Sequence, residues 1–591
     1  MCHEFVVWLV ALEYKAPEQD AHFLLFDLFR VQDIWPEIPA FSDFSDDLLR
    51  AIIAEGARLT SEVIAPTNQT GDAQGAQWLD GEVIAPEAFH GAYRELAQGG
   101  WLGLSGNPEF GGQGMPKMLA CLIEEMLWSA NTSLYLYGTL TVGSTMAIDT
   151  HGTTEQKATY LPRMYAGEWS GAMALTEAHA GTDLGIMRTR AQPQVDGSYK
   201  ITGTKVFITG GEHDLVENII HLVLARLPDA PTGTRGISVF IVPKFLVNKD
   251  DTLGERNAWS SGSIEHKMGI RGSATNVINY DGATGYLLGE ENQGLAAMFT
   301  MMNYERLSVG LQGLGSGELA YQQAAAYAKD RLQGRAATGI QNPDGPADPL
   351  LVHPDVRRML LSQRAYNEAG RAFALFAGMQ LDLAKYKGDE EAQQLAELLT
   401  PIAKAYLSDR GFEGAVNAQQ VFGGHGYIRE WGVEQIVRDA RIAQIYEGTN
   451  GIQAADLIGR KVMRDNGATL RQFVYMMAQS EVANEFQAPL NSALDRLIRV
   501  TVSVIERSQD DPNLPGAVST DYLELTGLTA YAWLWARMAA IAPEDDFGAA
   551  KKQTARFFFD RLLPKTEGLE ASIAADSCAV MEMLEHQFFS R

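Results

Sequence analysis

The sequence predicts an α+β protein with four consecutive parts: a helical domain over 1–168, a β-sheet domain over 169–292, a helical bundle over 293–465 and an appended helical domain over 466–591. Two observations predict this order. Apolar residues recur every three or four positions in the first, third and fourth parts, as they do on the buried face of a helix. In the second part, short β-rich runs alternate with Gly and Asp turns. A chain of 591 residues is also too long for one hydrophobic core.

The first domain shows helical spacing within 48–57 and within 119–126, and four prolines between 36 and 86 divide it. An apolar run at Phe5–Leu12 is too short to span a bilayer. It also lacks the preceding basic residue and the cleavage site of a signal peptide. We therefore expect a buried strand, a helix turn or an extended translation start there, and no integral membrane segment in the chain.

The second domain is predicted from runs of β-forming residues that are separated by turn residues. These runs are Tyr199–Ile201, Val206–Ile208, Ile219–Ala225, Ile237–Val242 and Asn276–Tyr280. Because short turns join them, we expect an antiparallel sheet.

Helices return after Gly294. The predicted ones are Leu295–Leu332, Val356–Tyr386 and Glu391–Phe422, with a surface loop over 334–349. Four glycines in the first of these helices resemble a dinucleotide-binding pattern, but no strand precedes them, so we predict close helix packing at Gly310, Gly313, Gly315 and Gly317. In the last domain, large apolar residues lie beside small ones and predict a packed bundle that covers Leu528, Leu534 and Trp535.

Composition narrows the class of partner. The hydrophobic fraction of 46% and the charged fraction of 21% are those of an ordinary globular protein. A net charge of -26 opposes binding to nucleic acid or to an anionic membrane. The three cysteines are widely separated, and neither they nor the histidines have metal-ligand spacing, so we expect no metal and a reducing, cytoplasmic setting.

Two segments carry the candidate chemistry: A-L-T-E-A-H-A-G-T-D (Ala174–Asp183) and I-Y-E-G-T-N-G-I-Q (Ile445–Gln453). In the second, Glu447 follows apolar residues and precedes a glycine break. Such a glutamate suits a desolvated base, because burial raises the pKa of a carboxyl group toward the working pH. Taken alone, Glu447 is better interpreted as a solvated loop glutamate.

Four further motifs lie between these segments: G-T-K-V-F-I-T-G-G (203–211), H-K-M-G-I-R-G-S (266–273), Y-E-R-L (304–307) and Q-V-F-G-G-H-G (420–426). In order and spacing, the six motifs resemble the acyl-CoA dehydrogenases, flavoproteins that oxidise acyl-CoA thioesters between the α and β carbons. The resemblance covers about 101–461 and implies that family's fold, with a helical N-terminal domain, a middle β domain and a four-helix C-terminal domain. The appended region is similar to that of the large members, a branch that includes methylthiopropanoyl-CoA and some long-chain enzymes.

The resemblance implies a reaction. Glu447 would remove the α proton, the flavin of a bound FAD would accept the β hydride, and an electron-transfer flavoprotein would receive the electrons. The substrate would be 3-methylthiopropanoyl-CoA or a fatty acyl-CoA. An acyl-CoA oxidase, which passes the electrons to oxygen, stays open as an alternative. A DNA-associated flavoprotein is disfavoured, because residues 466–591 hold 17 Asp and Glu against 11 Lys and Arg.

The resemblance also implies which residues contact FAD. The sheet-domain positions are Leu175, Thr176, Phe207 and Thr209, and the helical-domain positions are Arg331, Gln420, Gly423, Gly424 and Thr449. The chain departs from the family pattern at Ala178, where proline is usual, and at Phe207, where tryptophan is usual. Without the resemblance, the strand around Phe207 is a half-buried strand and the G-G-H-G turn is a helix C-cap.

The CoA contacts implied by the resemblance are Thr182, Asn303, Arg306 and Gly448, with Asn303 in place of a frequent aspartate. Glu305 is a possible second carboxylate, because some family members carry their base at this position. We expect a structural ion pair for Glu305. Relatives with an appended domain also imply a homodimer.

Overall fold

A computed structural model describes residues 13–590, so the interpretation of Phe5–Leu12 lies outside the described residues. The N-terminal part is helical except for one small hairpin. Its elements, joined by short 3-10 and π-helical segments, are α1 Glu18–His22, α2 Val31–Ile34, α3 Asp46–Arg58, α4 Asn68–Gln74, β1 Gln77–Leu79, β2 Glu82–Ile84, α5 Glu87–Gln98, α6 Lys117–Ala130, α7 Thr132–His151 and α8 Thr154–Tyr165.

The middle part is a seven-stranded sheet with a small two-stranded sheet beside it. Its strands are β3 Trp169–Ala174, β4 Arg190–Pro193, β5 Tyr199–Thr209, β6 Asn218–Ala225, β7 Ser238–Pro243, β8 Phe245–Val247, β9 Leu253–Arg256, β10 Trp259–Ile264 and β11 Thr275–Leu288. The strand order is β3-β6-β7-β11-β5-β4, with β10 also paired to β11.

The prediction of a purely antiparallel sheet was wrong at one edge, where β3 and β6 run parallel with Trp169 opposite Asn218. Parallel neighbours require a long connection, and here that connection contains the β4–β5 hairpin. The two predicted runs at 199–201 and 206–208 form one strand, β5. The predicted run at 276–280 is the first part of the longer β11.

The rest of the chain is helical. The bundle contains α9 Gly294–Asp330, α10 Pro354–Lys387, α11 Glu390–Phe422, α12 Val433–Ala440 and α13 Asn450–Asp456. The appended part contains α14 Ala468–Ala478, α15 Asn484–Arg507, α16 Leu514–Ile541, α17 Asp546–Phe557, α18 Lys565–Ile573 and α19 Cys578–Met581. Among the described residues, no helix combines the length and the apolar character needed to cross a membrane.

The glycines of α9 bring two helix backbones close together, as predicted. A Cβ atom on Gly310 would lie 2.6 Å from the carbonyl oxygen of Ala403, and one on Gly313 would lie 2.4 Å from the Cα of Ser408. Any side chain at these positions would push α11 away from α9. The α9–α11 contact matters because the candidate site lies between these two helices.

The appended part shares the hydrophobic core of the bundle. Leu528, Leu534 and Trp535 of α16 are fully buried, which confirms their predicted burial. Their cover was predicted to be the appended bundle itself, but Trp535 Nε1 donates to the carbonyl oxygen of Ala365 in α10 at 3.0 Å. The ring of Tyr531 also packs edge-on against Tyr406 of α11, with centroids 4.9 Å apart. Helix α16 therefore packs against the bundle.

A buried ionic network ties the N-terminal segment to both helical parts. Arg371, 2% exposed, donates to both carboxylate oxygens of Glu125 and to Glu318, and it also pairs with Asp20. Lys551 of α17 is fully buried and pairs with the same Asp20. We call these five residues the junction network. Since its members come from five different helices, it fixes how the parts of the chain pack together.

Candidate active site

Glu447 lies in a strained turn between two short helical segments. Its φ angle is +56°, in the left-handed region that is costly for a residue with a side chain, and Gly448 follows with φ +81°. Gln453 Nε2 donates to the carbonyl oxygen of Glu447 at 3.0 Å and fastens the turn to the start of α13. The helix itself begins where the side chain of Thr449 accepts from the N–H of Ile452. This local structure presents the Glu447 side chain to the α9–α11 contact.

The Glu447 carboxyl group is well suited to accept a proton. Its Oε2 atom is inaccessible to solvent and has no hydrogen-bond partner in the described part of the chain. Burial raises the pKa of Glu447 to about 6, while the positive charges of Arg306 and Lys404 act in the opposite direction. A carboxylate with a pKa near neutrality and a free oxygen has the properties of a general base.

Glu305 shares this environment. It is 1% exposed, and its Oε1 atom has no partner within residues 13–590. Burial, followed by the nearby negative charges of Glu447 and Glu124, raises the pKa of Glu305 well above its usual value. The expected ion pair was wrong: no cation of the described residues lies within ion-pair distance of Glu305, and Lys117, whose positive charge acts on it, pairs with Glu124. Burial and the charge of Glu447 therefore both disfavour the ionised form of Glu305.

The predicted CoA contacts lie on different surfaces. Arg306 follows Glu305 on α9, and its Nη1 lies 3.5 Å from Oδ2 of Asp456, while its buried Nε atom has no partner among the described residues. Asn303 and Thr182 are both exposed. The structure thus places Arg306 close enough for its charge to act on Glu447, and it leaves Asn303 and Thr182 open to solvent.

The four sheet-domain residues predicted to contact FAD form one surface at the ends of β3 and β5. The N–H of Val206 donates to the carbonyl oxygen of Thr176 at 2.9 Å, which sets the two segments side by side. Phe207 has φ +61° and is 62% exposed, an unusual combination for a large apolar side chain. Leu175, Thr176 and Thr209 are half-buried around it. An exposed aromatic face beside two hydroxyls fits a planar ring with a polar edge.

A buried ion pair that the sequence analysis missed supports this surface. Lys205, fully buried within β5, donates to Oε1 of Glu177 at 3.0 Å and to the carbonyl oxygen of Leu175 at 2.9 Å. Burial alone would raise the pKa of Glu177, but Lys205 and hydrogen bonds from 188–189 lower it to about 2. The signal in the sequence was a lysine directly before the apolar run Val206–Ile208.

The helical-domain residues predicted to contact FAD are all exposed: Arg331, Gln420, Gly423, Gly424 and Thr449. The first four lie at one end of the bundle, because the ring of Tyr327 near the end of α9 stacks on Phe422 at the end of α11, with centroids 4.0 Å apart. Gly423 has φ +59° and ψ −135°, a conformation open to glycine alone.

Four parts of the chain match known domains in sequence order. Residues 50–168 match the acyl-CoA dehydrogenase N-terminal domain, 172–283 the middle domain and 292–463 the C-terminal domain. Residues 467–584 match the domain described as acetyl-CoA dehydrogenase C-terminal like. Together with the relatives below, these matches show that the chain belongs to the acyl-CoA dehydrogenase family, whose members are FAD-dependent oxidoreductases acting on acyl-CoA.

The chain is 43% identical to the 3-methylmercaptopropionyl-CoA dehydrogenase of Ruegeria pomeroyi, over 93% of this chain and 96% of that protein. It is 35% identical to a butyryl-CoA dehydrogenase of Syntrophomonas wolfei, over 93% and 95% of the two chains. Among solved structures, the Bacillus anthracis acyl-CoA dehydrogenase complexed with FAD shares the fold, with a TM-score of 0.73 and 21% identity, over 94% of this chain and 91% of that one.

Proposed function

We propose that the chain catalyses the α,β-dehydrogenation of an acyl-CoA thioester, with Glu447 as the base. The substrate is a short acyl-CoA of the methylthiopropanoyl or butyryl type, which are the substrates named for two relatives. The observation that carries the proposal is the buried, unpartnered Oε2 of Glu447 beside Arg306 and Lys404. A base needs this combination of an available oxygen and a pKa near the working pH.

The residues of the chain would act as follows. Glu447 takes the α proton through its free carboxylate oxygen. The thioester oxygen then becomes an enolate, which requires fixed hydrogen-bond donors. The family resemblance assigns one of these to the backbone N–H of Glu447, and Gly448 permits close approach of the thioester because it has no side chain. Bound FAD supplies the electron sink that makes removal of the β hydride possible.

The sheet surface around Phe207 and the exposed bundle end at Arg331 would hold the FAD. We expect the purified protein to carry FAD and its flavin absorbance to bleach when a suitable acyl-CoA is added anaerobically. Turnover with acyl-CoAs of graded length, including 3-methylthiopropanoyl-CoA, would identify the substrate. A folded protein that cannot be loaded with FAD would overturn the proposal.

The electron acceptor would be an electron-transfer flavoprotein in the cytoplasm. Reoxidation of the product-bound, reduced protein separates this from the oxidase alternative. A dehydrogenase stays reduced for long periods in air and is reoxidised by the flavoprotein, whereas an oxidase turns over with oxygen alone.

The chain would act as a homodimer. The support is the exposure of Gln420, Gly423 and Gly424, which in the family serve FAD from the neighbouring subunit, together with the apolar Tyr427 and Ile428 beside them, 84% and 47% exposed. Light scattering is expected to give a dimer. A tetramer, or a monomer that retains FAD, would contradict this.

A further inference from the structure

Both flanks of the Glu447 turn converge on one carboxylate of α11. Gln444 Nε2, three residues before Glu447, donates to Oδ1 of Asp409 at 2.6 Å. Asn450 Nδ2, three residues after it, donates to the same Oδ1 atom, also at 2.6 Å. A single carboxylate oxygen of Asp409 therefore accepts hydrogen bonds from both flanks of the turn, and Glu447 lies midway between the two donors in the sequence.

Asn450 anchors the second flank further. Its Oδ1 accepts from Nζ of Lys404 at 2.8 Å, and its Nδ2 also donates to Oγ of Ser408 at 3.0 Å. Lys404 is fully buried on α11 and contributes one of the two positive charges that act on Glu447. The same hydrogen-bonding group thus fixes the position of the turn and the position of a charge that acts on its carboxylate.

The turn requires such support because its conformation is not favoured locally. A glutamate with φ +56° persists only where the surroundings impose it. The close approach of α9 and α11 at Gly313, whose added Cβ would lie 2.4 Å from Ser408 Cα, brings this stretch of α11 toward the Glu305–Arg306 stretch of α9. Removal of the common acceptor would free the side chain of Gln444 and would take away one of the hydrogen bonds that hold Asn450.

We propose that Asp409 is a positioning residue that holds the two flanks of the turn together and so aims the Glu447 carboxylate at the α carbon of the substrate. The inference rests on the proposed role of Glu447 as the base. Asp409 itself is not expected to touch substrate or FAD.

The test compares two substitutions of Asp409 in the FAD-loaded, full-length protein. Asp409→Leu keeps the branching of the side chain at Cγ and removes the acceptor, and it is expected to slow flavin reduction at saturating acyl-CoA about 10- to 100-fold, since small misplacements of a reacting group have effects of this size. The substrate KM and the FAD content are expected to change less than about threefold. Asp409→Asn keeps an acceptor oxygen and is expected to restore most of the rate, because the role is geometric.

Two further variants separate positioning from general stability. Gln444→Met removes one flank alone, and the double variant with Asp409→Leu is expected to be no slower than Asp409→Leu itself, because both act through one oxygen. Glu413→Gln, one turn further along α11 and paired with Arg410, is the matched control and is expected to behave as wild type. Hydrogen exchange is expected to increase in the segment 444–453 of Asp409→Leu.

A normal rate of flavin reduction in FAD-loaded Asp409→Leu would overturn the proposal. Additive losses in the double variant, or a loss that follows FAD content and Tm alone, would also overturn it. If Asp409→Leu does not fold, Gln444→Met and Asp409→Asn decide the question by rate and by exchange. An active Glu447→Gln would instead overturn the base assignment, whereas an inactive Glu447→Gln with a normal Asp409→Leu would overturn only the positioning role.

Discussion

The junction network and the Glu447 turn both contain buried charged side chains. In the network these charges are paired, whereas near the turn several buried polar atoms have no hydrogen-bond partner among the described residues. In the junction network, the guanidinium of Arg371 lies at ion-pair distance from three carboxylates, and the ammonium of Lys551 pairs with Asp20. Around the turn, buried polar atoms of Glu447, Glu305 and Arg306 have no partner in the described chain. Native structures seldom leave such atoms unpaired without a reason. We conclude that the charges of the junction network hold elements of the fold together, whereas the unpartnered polar atoms near the turn are available to bind a ligand.

The largest effect is expected from removal of the proposed base in the Glu447 turn. Glu447→Gln is nearly isosteric but cannot accept the α proton, so flavin reduction should fall by several orders of magnitude while FAD content and Tm stay close to wild type. Anaerobic stopped-flow absorbance measures the rate. Substantial reduction by this variant would move the base elsewhere, and Glu305 would be the next candidate.

A substitution in the junction network should lower stability and leave the rate of the chemical step nearly unchanged. Arg371→Met leaves Asp20 and Glu125 without their shared cation, so we expect the free energy of unfolding to fall by about 3–5 kcal/mol with little change in the rate per bound flavin. Denaturant unfolding measures the loss. Arg499→Met is the control, because its pair with Glu570 is solvent-exposed and should contribute less than about 1 kcal/mol. Equal losses in the two variants would contradict the assignment.

The pH dependence of activity tests how a neighbouring charge acts on Glu447. The base must be ionised, and since the pKa of Glu447 is raised to about 6, kcat/KM should rise with pH through this region and level off above it. Lys404→Met removes a positive charge that opposes this rise in pKa, so the acidic limb should move to higher pH and activity at neutral pH should fall a few-fold. A limb that stays in place would show that Lys404 does not act on the base.

The smallest expected effect concerns Glu305. Burial raises the pKa of Glu305 well above its usual value and so disfavours the charged form, and Glu305→Gln places a neutral group of nearly the same shape there. Flavin reduction should stay within about twofold of wild type. A loss comparable to that of Glu447→Gln would show that the two carboxyl groups act as a coupled pair.

Much of the fold could be predicted where the pattern is long and periodic. The three predicted bundle helices, α9 to α11, begin and end within about two residues of their predicted bounds. Strand β10 (W-S-S-G-S-I) was missed because it is polar and lacks alternation, and it is paired only through β11. The parallel β3–β6 pair depends on contacts between distant segments, which no local pattern encodes.

The site was predictable in part and for a different reason. Glu447, Arg306 and Gly448 were proposed from motifs that resemble a family, whereas Lys404 and Asp409 were not identified. These two lie some forty residues before Glu447, and a polar residue within a helical pattern ordinarily indicates a solvent-facing position. Only the close approach of α9 and α11 turns that face of α11 toward the turn.

Helix α9 fixes the distance between two arginines of the proposed site. Arg306 and Arg331 are separated by twenty-five residues of continuous helix, which corresponds to about 37 Å at the helical rise. Two residues this far apart on one helix cannot both line the same pocket. In the proposed dimer each chain would therefore supply Glu447 to one pocket and Arg331 to the other. A mixed dimer of a Glu447→Gln chain and an Arg331→Leu chain would then concentrate both defects in one pocket and leave the second intact.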